Sequence, residues 1–190
     1  MLKFGFGDVE GAVLGMHGAE TSVVSARFRY FQRLRFPSGT NTGRGRPASY
    51  GLEQMLQIVL AFELLNAGLG PTPVVRTIRT NWPRLRVSLL LGWEAACDRI
   101  DWDQREIFLL EPTALLDGAR SDDAFEAVEN PLEPVPALTA AGWARGRDGP
   151  PAMIIVDPAR MLANFARVIP QISVITLADL EEGFSALEQP

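Results

Sequence analysis

Arg29 and Arg33 lie one helical turn apart behind Ser22, Ser25 and Ala26, and Arg44 and Arg46 flank Gly45 a short way downstream. Arginine stays charged at physiological pH and presents its donors as a planar fork that fits phosphate oxygens and the O6/N7 edge of guanine. Serine and alanine are short enough to let a helix approach another surface closely, and a glycine between two arginines does the same for the backbone. Tyr30 falls at the margin of an apolar helix face, its ring placed to pack and its hydroxyl to reach an anion. These residue types at this spacing suit the grip of a polyanion rather than the making and breaking of bonds.

Other reactive types are scarce. One histidine, His17, and one cysteine, Cys97, exclude an internal disulfide and leave too few soft ligands for a Cys/His metal site, so no metal or other cofactor is expected. His17, beside Gly15 and Gly18, reads as a turn residue, and Cys97, among Trp93, Ala95, Ala96 and Ile100, as a small core hydrophobe. Trp82, Trp93, Trp102 and Trp143 read as packing anchors. Gly5-x-Gly7 is too short for a dinucleotide motif, and no nucleophile elbow occurs. Helix starts account for the acids of Glu111-Pro112 and Asp157-Pro158, so the sequence reads as a non-enzyme.

The charge is divided along the chain. Residues 20–90 carry ten arginines against three glutamates, a local charge of +7, whereas residues 91–190 carry seven arginines against 18 acids, or −11, inside a total of −5. A field confined in this way attracts phosphate locally although the whole chain is acidic. The break near residue 90, with 190 residues and 47% apolar composition, predicts two domains, 1–86 and 87–190. No apolar run approaches the roughly 18 residues that cross a bilayer, so no membrane association and a cytoplasmic location are expected.

The elements that position the arginines follow from periodicity. Five glycines within residues 1–20 argue against a long helix there, leaving at most a short one over 8–16. A helix is predicted from Thr21 or Ser22, either of them a cap, to about residue 35, where Phe36-Pro37 stops it. Val24, Phe28, Phe31 and Leu34 share one face, and Ser22, Ser25, Ala26, Arg29 and Arg33 the other. Residues 38–50, rich in glycine and carrying Arg44 and Arg46, fit a β-hairpin wing. A helix over 52–67, ended by Gly68, is apolar nearly all round, which calls for cover from a second domain or subunit. Another runs from Thr72-Pro73 to Trp82. Beyond Pro83, residues 105–110 read as a strand, 117–136 as an acidic, unstructured connection and 142–151 as a loop. A strand-then-helix echo links 107–116 with 153–162, and 172–187 repeats that order without the proline. The second domain is therefore expected to be a smaller α+β unit, and the whole chain mainly α with some β.

The run Val24-Ser25-Ala26-Arg27-Phe28-Arg29-Tyr30-Phe31-Gln32 resembles the recognition-helix signature of the MerR-type winged helix-turn-helix regulators, whose Arg-Tyr-Tyr-Glu core stands here as Arg29-Tyr30-Phe31-Gln32. The resemblance continues through a wing ending in Arg44-Gly45-Arg46-Pro47-Ala48-Ser49-Tyr50 and two further helices, covering residues 20–82. It implies an amino-terminal winged helix-turn-helix domain, a recognition helix over 22–35 and a wing over 38–50. By the same likeness, the chain would be a nucleoid-associated transcription regulator that binds double-stranded DNA as a homodimer. Ser22, Ser25, Ala26, Arg29, Tyr30, Arg33, Arg44 and Arg46 are the DNA-binding residues so implied. The chain departs from the family in its glycine-rich start, in lacking the heptads of a dimerising coiled coil, and in lacking carboxy-terminal cysteines for a metal. The acidic domain is left for dimerisation, a protein partner or a small-molecule effector. Two readings compete: an excisionase-like architectural factor that bends DNA, and a protein–protein adaptor whose basic face docks an acidic partner.

Overall fold

The structure is a computed structural model that describes residues 2–40, 47–110, 132–145 and 154–188. It is mainly helical, with two small sheets. Two compact units divide the chain: Met1–Glu63 with Asn164–Pro190, and Leu64–Ala163.

The first unit opens with strand β1 (Lys3–Gly5) and helix α1 (Phe6–His17). A twelve-residue helix in this glycine-rich stretch corrects the expectation of a short one. Its cause lies far away in sequence. A Cβ added to Gly15 would stand 2.6 Å from Val168 Cγ1, and one on Gly11 would stand 3.0 Å from Ile172 Cδ1. These glycines, one turn apart, let α1 lie close against another helix, which repays their weak helix propensity. The Asp8 carboxylate accepts from the Gly5 N–H at 2.8 Å, closing the first turn.

Gly18 at φ 59° ends α1, its N–H reaching Leu14 O at 2.9 Å. Three residues on, helix α2 (Thr21–Arg33) begins. Glu20, rather than Thr21 or Ser22, occupies the cap position, extended at ψ 137° and with no side-chain hydrogen bond. Arg35 at φ 53° and the bond from Phe36 N–H to Phe31 O at 2.9 Å close its carboxyl end. Strand β2 (Ser49–Gly51) then pairs antiparallel with β1, Phe4 opposite Tyr50.

Helix α3 (Leu52–Asn66) follows, with Met55, Leu56, Ile58, Val59, Leu60, Ala61, Phe62 and Leu64 all buried. Its all-round apolar character is thus satisfied within one chain. Helix α6 (Pro158–Ile172), from Asn164 on, and helix α7 (Leu177–Glu188) complete the first unit; the division into units falls inside α3 and α6. In the first unit Phe4, Phe165, Leu180 and Phe184 are buried, with the rings of Phe4 and Phe165 6.4 Å apart. Residues 173–176 form no strand, so the strand predicted after residue 172 is absent.

In the second unit, helix α4 (Pro71–Ala96) passes straight through Pro83, where the sequence predicted an end, and it contains the predicted domain boundary at 86/87. Val74, Val75, Ile78, Leu85, Leu89 and Trp93 form one buried stripe in register across the proline. An interior proline costs about 3 kcal/mol. Burial of three large apolar side chains beyond it contributes about 1.5–3 kcal/mol each, so the helix continues.

Strands β3 (Glu106–Leu110), β4 (Leu132–Pro136) and β5 (Ile154–Val156) form an antiparallel sheet in the order β4-β3-β5. Residues 132–136, expected as part of an unstructured connection, are thus an edge strand, a position in a sheet where Pro134 and Pro136 are tolerated. Helix α5 (Ala137–Arg145) covers part of the sheet, Ala140 packing with Ile107 and Val135. Its span also shortens the loop predicted for 142–151 at its start.

The strand-then-helix order expected around Asp157-Pro158 is present. Asp157 Oδ1 accepts from the Ala159 N–H at 3.0 Å, and its carboxylate meets Arg105 Nη2 at 3.1 Å. Gly92 lies so close to Pro158 that a Cβ there would come within 2.8 Å. Cys97, expected in the core, is half-buried at the carboxyl end of α4. Of the four tryptophans, Trp93 is fully buried, whereas Trp102 is exposed beneath the Arg105 guanidinium, 4.8 Å from its ring.

Candidate nucleic-acid interface

The rotation of α2 about its own axis is set by four ring contacts. Phe28 packs against Phe6 and Phe62 with centroids 5.3 Å and 5.2 Å away, and Phe31 against Phe36 and Phe62 at 5.3 Å and 5.7 Å. Val24, Phe28 and Phe31 are all buried. Aromatic pairs of this kind add about 0.5–1.5 kcal/mol each beyond their buried area, enough to define one orientation.

What faces outward follows from the helical repeat. Positions 22, 26, 29 and 33 fall within about 60° of one another at 100° per residue, forming a stripe about 16 Å long. Ser22, Ala26, Arg29 and Arg33 are all exposed. Among the described residues no hydrogen bond or ion pair engages the Arg29 or Arg33 side chain.

The other predicted positions divide. Ser25 is half-buried, and its hydroxyl donates to Glu10 Oε1 at 2.8 Å, tying α2 to α1 instead of facing outward alone. Tyr30 is half-buried, consistent with a place at the margin. Arg44 and Arg46 lie outside the described residues, as do positions 41–46 of the predicted wing. The residues flanking that segment are tied together. Gln54 donates from Nε2 to Ser38 O at 2.6 Å and accepts from the Gly51 N–H at 2.8 Å, so one side chain clamps both ends. The strand at the far end, β2, is paired with β1 at the amino terminus.

Behind α2 sits a group the sequence reading missed. His17 belongs to the last turn of α1, not to the loop, and its side chain is only 8% exposed. Its ring stacks on Phe62, and its Nε2 lies 4.0 Å from Glu63 Oε1. Burial, helped by the charge of Arg27, holds the imidazole below its ordinary 6.5, and burial lifts the Glu63 carboxyl above its ordinary 4.5. Both shifts favour neutral forms. The permanent charge in this cluster is Arg27, whose guanidinium lies 5.9 Å from the Phe62 ring centre. A histidine one residue before a helix-ending glycine was the available signal, since such residues often close helix ends.

Among the described residues no helix is long and apolar enough to cross a membrane. No family model matches the sequence, and no curated protein matches it.

Proposed function

We propose that the chain is a sequence-specific DNA-binding transcription regulator that lays α2 in the major groove as a dimer and sets the 38–50 segment against the adjoining backbone. The observation that carries this reading is the stripe of Ser22, Ala26, Arg29 and Arg33. It is exposed along its length, two short side chains precede two arginines, and the buried rings on the opposite side hold it outward. Two helices joined by a three-residue turn containing a glycine are also the arrangement that helix-turn-helix proteins use to present such a helix. The 64–163 unit is left for dimerisation, a partner or an effector.

Two substitutions separate recognition from attraction. If Arg29 reads a base edge, Arg29→Ala costs about 1–3 kcal/mol at the preferred site and relaxes preference at one position. In the wing, Arg46→Ala weakens binding to all duplexes alike and lowers the salt slope by about one unit. Electrophoretic or anisotropy titrations over a salt series, with circular dichroism as a check on folding, supply both readouts. Natively folded variants that bind the preferred duplex as the parent does would replace this reading with the protein–protein adaptor.

A further inference from the structure

A cavity of about 820 Å³ opens in the first unit between the amino end of α3 and one side of α7. Helix α7 explains why it stays open. Leu180 and Phe184 turn into the core, while Gly183 and Ala186, on the cavity side, are too small to fill it. Gly183 is held small by its neighbours, since a Cβ there would meet Leu52 Cδ2 at 3.0 Å and Leu2 Cδ2 at 3.2 Å. Leu2, Leu52 and Leu187 give the cavity an apolar base.

The charged groups on its walls have one predominant sign. Glu53, Asp179 and Glu182 stand against a single cation, Lys3. Asp179 is committed to the start of α7, accepting from Thr176 Oγ1 at 2.6 Å and from the Thr176 N–H at 2.8 Å, which holds its carboxyl below its usual range. Glu182 is exposed, and among the described residues no ion pair or hydrogen bond engages it. At the start of α3 the Gly51 N–H is already taken by Gln54, so it is not offered to an anion. The size lies within the range of small-molecule sites, roughly 300–1,000 Å³, where an apolar lining supplies burial and a few polar groups orient the ligand.

We infer that this cavity binds a small organic cation with an apolar body, the body seated on Leu2, Leu52 and Leu187 and the charged head between Glu53 and Glu182. The site is independent of the DNA-binding reading and stands or falls by itself.

Its test uses three probes of one shape and different charge, offered to the full-length protein by calorimetric titration: 4-phenylbutylammonium, neutral 4-phenylbutanol and anionic 4-phenylbutyrate. The ammonium binds, with the alcohol at least about five-fold weaker and the carboxylate weaker again, the loss corresponding to one partly exposed charge contact. Glu182→Gln and Glu53→Gln each bring the ammonium toward the alcohol. Ala186→Phe, on the exposed side of α7, narrows the cavity and weakens ammonium binding while circular dichroism stays native. Equal binding of the three probes, ammonium affinity untouched by both glutamine variants, or full binding by a folded Ala186→Phe protein would each overturn the proposal. The absence of any ammonium binding at millimolar concentration would overturn it as well.

Discussion

At the scale of single residues, the facing His17 and Glu63 pull stability in opposite directions with pH. Burial lowers the pKa of His17 from 6.5, so between its folded value and 6.5 the unfolded chain binds more protons, and stability is lost as pH falls through 6.5. Burial raises that of Glu63 from 4.5, so the folded chain holds its proton more tightly, and stability is gained as pH falls toward 4.5. In the parent protein the two trends oppose each other. They separate on substitution: Glu63→Gln leaves only the loss below pH 6.5, whereas His17→Leu leaves only the gain as pH falls toward 4.5. Thermal midpoints at a series of pH values compare each variant with the parent. Profiles that run parallel in all three proteins would show that neither burial is felt by the folded state. Nothing in the sequence around His17 disclosed this pairing, because Phe62 and Glu63 come from an element 45 residues away in the chain.

Single elements show which physical signals are local. The buried face of α2 was legible from periodicity, with Val24, Phe28 and Phe31 at helical spacing, whereas the tie from Ser25 on the other face to Glu10 of α1 was not. Local signals misled where distant packing overrides propensity. Glycines in α1 looked like breakers but are spacers against Val168 and Ile172; Pro83 looked like a stop but interrupts one continuous buried stripe; Pro134 and Pro136 looked like a loop but form an edge strand. The spacer role makes a direct prediction. Gly15→Ala places a methyl 2.6 Å from a branched, stiff valine, and its cost of about 1–3 kcal/mol in overpacking exceeds the gain of up to about 1 kcal/mol in helix propensity. At Gly7, in the same helix, an added Cβ meets nothing within 4 Å, so Gly7→Ala gains the propensity alone and stabilises by up to about 1 kcal/mol. Denaturant midpoints of the two variants should therefore move in opposite directions. Equal stabilisation of both would mean that α1 has room to move and that its glycines serve no close approach.

At the scale of the whole molecule, the proposed function meets a limit of length. The exposed stripe from Ser22 to Arg33 spans about 16 Å, which reaches about five base pairs at 3.4 Å each. Five base pairs recur about once per thousand positions, far too often to single out a site among the 10⁶–10⁹ competitors of a genome. The chain also carries a net charge of −5, so long-range attraction to DNA is weak and affinity rests on local contacts made by the basic 20–90 stretch. Pairing two copies solves both difficulties at once, doubling the bases read and the phosphates neutralised. The α3 surface is not available for that pairing, since its apolar side chains are already buried within one chain, and the contact must come from another surface. The expected complex therefore holds two chains on one duplex, with an inverted repeat whose half-sites lie about one helical turn, 10–10.5 base pairs, apart. Sedimentation of the protein with its footprinted site measures the stoichiometry, and changing the spacer by five base pairs, half a turn, should abolish tight binding. One chain per duplex at full specificity, or affinity indifferent to the spacer, would remove the dimer and with it the inverted-repeat operator.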